Sequence, residues 1–115
     1  MNKAVAVLSA AALLATPLAA QVRSNSAKAF SDRLAGLTDI QRRGALRGAI
    51  MDSGEKCGAV TKAAYQGVYK NLEMWVARCS NNVSYGAFIG PDGTVQVSSC
   101  SYLVSVHWPA CRRLD

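Results

Sequence analysis

Four cysteines, one histidine and a group of arginines are the residues of this sequence with chemistry to offer. Cys57, Cys79, Cys100 and Cys111 are separated by 22, 21 and 11 positions. No Cys-x-x-Cys pair occurs, so neither a zinc knuckle nor a thioredoxin-like redox centre is supported. An even number of cysteines in a small exported domain reads as two disulfides; one bridge with two free thiols is the alternative. A Cys–His nucleophile pair needs a low-pKa thiolate beside the imidazole. His107 has only Cys111 nearby in sequence, and oxidation is expected to occupy that thiol. One histidine and scattered carboxylates are too few ligands for a metal site. Asp52 and Glu55 flank Gly54, a pattern that suits a solvated helix end better than general acid–base work. Arg42, Arg43 and Arg47, with Arg112 and Arg113, have the spacing of an anion-binding patch; a solvated helix face is the competing reading. Asn82-Val83-Ser84 matches the glycosylation triplet, but Asn82 is better explained as a turn residue. No residue is assigned a catalytic, metal-binding or cofactor-binding role.

The N-terminus bears on where these cysteines act. Lys3 supplies a short positive region, and Ala4 to Ala15 form an uncharged apolar run of 12 residues. Pro17 follows, with Ala19-Ala20 as small residues for a peptidase. This is the layout of a secretory signal, and residues 1–20 are expected to be removed. The run is shorter than the about 20 residues a membrane span needs. Cleavage leaves 95 of the 115 residues, one domain, and takes Lys3 with it, so the net charge falls from +6 to +5. A basic balance favours solubility and loose contact with anionic polymers or headgroups, without specifying a ligand. No nucleic-acid-binding module is recognisable, and export argues against one.

The elements that must position these residues follow from capping and periodicity. Residues 21–37 read as a loose polar leader over 21–29, then a short helix to Leu34 that Gly36 ends. Residues 38–115 read as one α+β domain. Thr38 and Gln41 form a capping box, Asp39 suits the first turn, and Gly54 suits a left-handed C-terminal position, so Asp39 to Ser53 is the main helix. Ile40, Leu46, Ile50 and Met51 fall on one half of it, interrupted by Arg43 and Arg47. Period-two patterning begins after Ala59. Strands are expected over 60–69, with a bulge near Gly67, and over 74–79, 83–89 and 94–99. The turns lie at Lys70-Asn71-Leu72, Ser80-Asn81-Asn82 and Pro91-Asp92-Gly93. Tyr102 to Val106 is expected as a short fifth strand. The fold class is therefore α+β: one main helix, preceded by a short one, on a four-stranded antiparallel meander stapled by disulfides.

A two-residue Asn81-Asn82 turn would set Cys79 opposite Ser84 and Val76 opposite Ala87. A three-residue Pro91-Asp92-Gly93 loop would set Ile89 opposite Val95 and Ala87 opposite Val97. One face would then carry Met74, Val76, Tyr85, Ala87, Ile89, Val95 and Val97 toward the helix. The other would carry Trp75, Ala77, Cys79, Gly86, Phe88, Gln96 and Cys100, with Trp75 opposing Phe88. That face reads as a minor core under the C-terminal tail; an exposed binding patch is the alternative. Strand 83–89 separates Cys79 from Cys100 by two strand spacings, about 9.6 Å, beyond the reach of a disulfide. Cys57–Cys79 with Cys100–Cys111 is preferred, and Cys57–Cys100 with Cys79–Cys111 stays open.

Taken together, Cys57-x-x-Val60-Thr61, Gly67, Trp75-x-x-x-Cys79, Tyr85, Pro91-Asp92-Gly93, Val97 and Cys100 resemble the skeleton of a group of small secreted alphaproteobacterial proteins of unknown function. The likeness covers about residues 38–100 and implies a periplasmic or secreted location and no known activity. There is also a faint likeness to periplasmic lysozyme inhibitors, whose Ser-Ala-Ser-Gly inhibitory loop is missing here. The expected function is a secreted or periplasmic non-enzymatic domain that binds or supports. The alternative is an inhibitor of a periplasmic or cell-wall hydrolase. The expected partner is a periplasmic protein or an anionic envelope polymer, with no cofactor.

Overall fold

The computed structural model describes residues 15–115, with side-chain surroundings from Ser26 onward. Most of the expected signal peptide thus lies outside the described residues. The element order is α1 (Ala15–Gly36), α2 (Asp39–Asp52), β1 (Val60–Tyr69), β2 (Leu72–Cys79), β3 (Ser84–Ile89), β4 (Val95–Ser99) and α3 (Cys100–Ser105). The four strands form one antiparallel meander in the order β1-β2-β3-β4. This is the α+β fold expected from the sequence, closed by two disulfides.

α1 differs from expectation. Helix continues back through residues 21–29, anticipated as a loose leader. Ala27, Phe30, Ser31 and Leu34 recur at helical spacing, so one stripe meets the sheet. Ala27 and Ser31 are buried there, and the Trp75 indole Nε1–H donates to Ser31 Oγ at 2.9 Å. α2 opens on the anticipated capping box: the Gln41 amide donates to Thr38 Oγ1, and the Thr38 amide donates to Gln41 Oε1, both at 3.2 Å. It closes through Ser53, with Gly54 at φ +93°. Only Leu46 and Ile50 of its expected apolar half are buried; Ile40 is 82% and Met51 45% exposed. A helix that rests on the sheet at so few positions leaves most of its circumference to solvent.

The expected register between β2 and β3 is corrected by one residue. Arg78 faces Ser84, Val76 faces Gly86 and Trp75 faces Ala87. The turn holds three residues, not two: the Cys79 amide donates to the Val83 carbonyl and the Asn82 amide to the Cys79 carbonyl, both at 2.9 Å. Asn82 takes the left-handed position at φ 67°. Because side chains alternate with period two, one extra loop residue exchanges the two faces of β2 relative to β3. Trp75 and Ala77 therefore join Tyr85, Ala87, Ile89 and Val97 beneath α1 and α2. Met74 and Val76 join Phe88 on the opposite face. Trp75 and Phe88 do not oppose each other. The β3–β4 register stands as anticipated, with Ile89 facing Val95 and Ala87 facing Val97. β1 carries its bulge between Tyr65 and Gly67.

The chain after β4 is helical, not a fifth strand. Ser99 Oγ accepts the Tyr102 amide at 3.2 Å and caps α3. The Trp108 amide then bonds the Leu103 carbonyl at 3.0 Å, and the His107 amide bonds the Val104 carbonyl at 3.2 Å. This pair of bonds is the Schellman closure, with His107 in the left-handed position at φ 64°. Reversed there, the tail lays Trp108 and Leu114 with Leu103 over Met74, Val76 and Phe88. A minor core under the tail is present as anticipated, but Met74 and Val76 line it with Phe88 in place of Trp75, Ala77 and Cys79. Both faces are covered, so β2 is buried continuously from Glu73 to Ala77.

Candidate binding surface

The cysteines pair as Cys57–Cys79 and Cys100–Cys111, with Cα separations of 5.4 and 5.7 Å. The first bridge ties the α2–β1 connection to the end of β2. The second ties the start of α3 to the tail. No cysteine is free.

Four of the five arginines expected to form an anion patch, Arg42, Arg43, Arg47 and Arg112, make bonds within the chain, and Arg113 is exposed. Arg42 donates from Nε to the Leu34 carbonyl at 3.1 Å. Its Nη2 reaches the Ala35 and Leu37 carbonyls at 2.8 and 2.7 Å. It thereby caps the C-terminus of α1, whose last carbonyls have no partner in the helix. Arg43 pairs with Asp39 one turn back, and this hydrogen bond holds the Asp39 carboxyl below the usual carboxylate range. Arg47 Nε donates to the Cys57 carbonyl at 2.8 Å, linking α2 to the bridged segment. Arg112 donates to the Tyr65 carbonyl at 2.9 Å. Beside it, the Gln66 side-chain amide bonds the Ala110 carbonyl and the Arg112 amide, both at 2.8 Å. Gln66 is the extra residue of the β1 bulge, and its side chain serves the tail as a strand backbone would.

Asp52 and Glu55 are exposed at the end of α2, and His107 is exposed at the α3 closure. Among the described residues no group of three or more His, Cys, Asp or Glu side chains could hold a metal ion. One polar cluster was not legible in the sequence. Glu73 is buried on the helix-facing side of β2 and accepts a hydrogen bond from Tyr65 Oη at 3.3 Å. Burial, then the neighbouring Glu73 charge, pushes the Tyr65 phenol up. In the sequence Glu73 falls between the expected turn at Lys70-Asn71-Leu72 and the strand over 74–79, with no role assigned. Because β2 begins at Leu72, its alternation sets Glu73 on the same face as Trp75 and Ala77.

Among the described residues, one surface with space for a partner lies between α2 and the β4 edge. An open groove of about 470 Å³ is lined by Gly44, Ala45, Gly48 and Ala49 from α2, and by Gly93 and Val95 from the β3–β4 hairpin. A methyl built on Gly44 or Gly48 would meet nothing within 4 Å, so the small side chains leave helix backbone open to the groove. At its rim the Pro91-Asp92-Gly93 loop is tightly held. The Gly90 amide bonds the Thr94 carbonyl at 2.9 Å. Asp92 Oδ1 accepts the Thr94 hydroxyl at 2.7 Å and the Thr94 amide at 3.1 Å. Those bonds, the hydroxyl first, hold the Asp92 carboxyl below its ordinary value. Gly93 sits against the Phe30 ring of α1, where a Cβ would come within 2.8 Å of Cζ. β4 is an edge of the sheet, and its sequence Val-Gln-Val-Ser-Ser has no charge and no proline. These are the devices that ordinarily blunt an edge. The arrangement can take an extended segment along β4, with the rigid loop at one end.

What fold and surface define is a disulfide-stapled α+β meander domain with an open strand edge. Compared with protein-family models, curated proteins and solved structures, the chain matches none.

Proposed function

We infer that this chain is an exported, non-enzymatic binding domain that engages an extended segment of a periplasmic protein along β4. The observation that carries this reading is the juxtaposition of an uncharged sheet edge, a backbone-lined groove and a preorganised loop on one surface. Strand addition of this kind draws affinity from main-chain hydrogen bonds and selectivity from adjoining pockets. A periplasmic or secreted location rests on the signal-like N-terminus and on two disulfides, which persist in oxidising compartments. Among the described residues no helix is long and apolar enough to cross a membrane. Membership of the small secreted alphaproteobacterial group is part of the same proposal and rests on the skeleton from Cys57 to Cys100.

The second reading is an inhibitor that caps a periplasmic or cell-wall hydrolase. The hydrogen-bonded Gly90–Thr94 loop favours it, since a rigid exposed loop is what an inhibitor inserts. One experiment tests both. The chain and its Gly48→Leu variant are used as bait in periplasmic extract. A leucine there projects into the groove from a position where an added Cβ meets nothing within 4 Å, and helix propensity improves. Capture by the native chain and loss of capture by the variant are expected, and equal capture rejects the groove. A captured hydrolase that loses activity at near-stoichiometric ratio selects the inhibitor. N-terminal sequencing of exported material should begin at or next to Gln21; an intact Met1 in that fraction refutes processing.

A further inference from the structure

With Arg42, Arg43, Arg47 and Arg112 held by carbonyls or Asp39, the cations with no such bonds lie elsewhere. On the sheet face opposite α2, Lys62 of β1 stands directly across from Arg78 of β2. Arg78 in turn stands directly across from Ser84 of β3. The three side chains share a face with Ala64 and Val76, and form a row across three strands about 9.6 Å wide. Directly opposed residues place their Cβ atoms about 5 Å apart, and like charges so placed are destabilising. Among the described residues no ion pair involves Lys62 or Arg78, and neither side chain makes a hydrogen bond. Arg78 is nonetheless a half-buried residue, and its guanidinium has no protein acceptor among the described residues. Two cations kept together this way point outward for their counter-charge.

We propose that Lys62, Arg78 and Ser84 form a binding site for a phosphoryl oxyanion. A guanidinium offers two parallel donors to such a group, and an ammonium adds a point charge. The Ser84 hydroxyl supplies a third donor in line. A phosphoryl group presents three oxygens to these three side chains, where a carboxylate presents two. The site is on the other side of the sheet from the β4 groove and does not depend on the partner inferred above. Its ligand is a phosphate monoester, borne either by a lipid headgroup or by a soluble or polymeric molecule.

The test uses the full, disulfide-bonded chain labelled with ¹⁵N and titrated with inorganic phosphate, against chloride at matched ionic strength. Saturable amide shifts centred on Lys62, Arg78 and Ser84 are expected, with a melting temperature that rises with phosphate. Arg78→Gln should weaken binding by about tenfold, the loss of one charge-assisted contact. Arg43→Gln should bind as the native chain does. Lys62→Glu is the decisive variant: it should melt higher in the absence of phosphate, because the introduced carboxylate meets Arg78, and should lose the phosphate-specific shifts. The proposal is overturned if phosphate shifts no more than chloride does. It is equally overturned if Lys62→Glu melts lower or still binds phosphate. Co-sedimentation with phosphatidic acid vesicles, whose monoester headgroup presents three terminal oxygens, over a phosphatidylcholine baseline and lost in Lys62→Glu, assigns the ester to a lipid. Phosphate binding without that co-sedimentation assigns it to a soluble or polymeric source. Co-sedimentation undiminished in Lys62→Glu overturns the lipid assignment.

Discussion

Replacing Gly93 by alanine tests whether the groove-side loop is seated on α1 as described. Two costs act at that position. Gly93 has φ +83°, a left-handed conformation that an L-residue adopts at about 1 kcal/mol or somewhat more. The added methyl would stand 2.8 Å from Phe30 Cζ and 3.0 Å from Cε2. Overpacking of this kind costs about 1–3 kcal/mol. The lower end applies, because the Phe30 ring is only half-buried and can swing. Gly93→Ala should therefore destabilise by about 2 kcal/mol in total. In a Phe30→Leu background the steric part disappears and the backbone part stays, leaving about 1 kcal/mol. Urea unfolding followed by tryptophan fluorescence reads both values, since Trp75 is buried on the face that α1 covers. The double-mutant cycle should show a coupling of about 1 kcal/mol, well above the scatter for independent sites. A coupling of zero refutes the contact between α1 and the loop, and with it the preorganised rim of the binding surface.

Breaking the Cys57–Cys79 bridge by Cys57→Ser removes a 22-residue loop constraint worth about 3 kcal/mol in the chain-entropy model. Against a total of about 5 kcal/mol for so small a domain, about 2 kcal/mol would remain, so the variant should stay folded but unfold at clearly lower urea and be cleaved faster by added protease. Thiol titration of denatured, unreduced native protein should find no free cysteine, and four would remove the basis of the disulfide argument. His107→Gly should stabilise by about 0.5–1 kcal/mol, because glycine relieves the left-handed position that closes α3. His107→Ala should stay within about 0.5 kcal/mol of native in thermal melts; a large loss would assign the imidazole a role. Asp92 has a folded pKa depressed by the Thr94 hydrogen bonds, so its contribution is present above the unfolded value near 3.8 and is lost as pH falls through the folded pKa. Acid unfolding of Asp92→Asn should accordingly be less steep below that value than in the native chain, and an unchanged acid limb would contradict the assignment.

Local chemistry carried the parts of this fold that short segments decide. Thr38 and Gln41 announce the start of α2 because a capping box needs only four consecutive residues. Pro91-Asp92-Gly93 announces its hairpin, and the register it implies is the one observed. Four cysteines at spacings without a metal pattern implied two bridges, and the strand order left Cys57 beside Cys79. The Ser80-Asn81-Asn82 turn was legible as a turn but not in its length. That one residue decides which face of β2 meets the helices, and so on which side of the sheet Glu73 and Trp75 pack. Arg42 and Arg47 read as a charged helix face because their acceptors, carbonyls at Leu34 to Leu37 and at Cys57, become neighbours only when the chain folds back. Tyr102 to Val106 suits a strand by composition. It is a helix because the Ser99 cap and the Cys100–Cys111 bridge turn the chain over the second sheet face. Lys62 and Arg78 are 16 positions apart in sequence, and only strand pairing sets their charges face to face. The sequence by itself determined the capped main helix, the four strands, the turn positions and the cysteine chemistry, since these are settled within a few residues. Tertiary structure alone decided register, face and the partners of each charge, since those depend on groups that distant segments bring together.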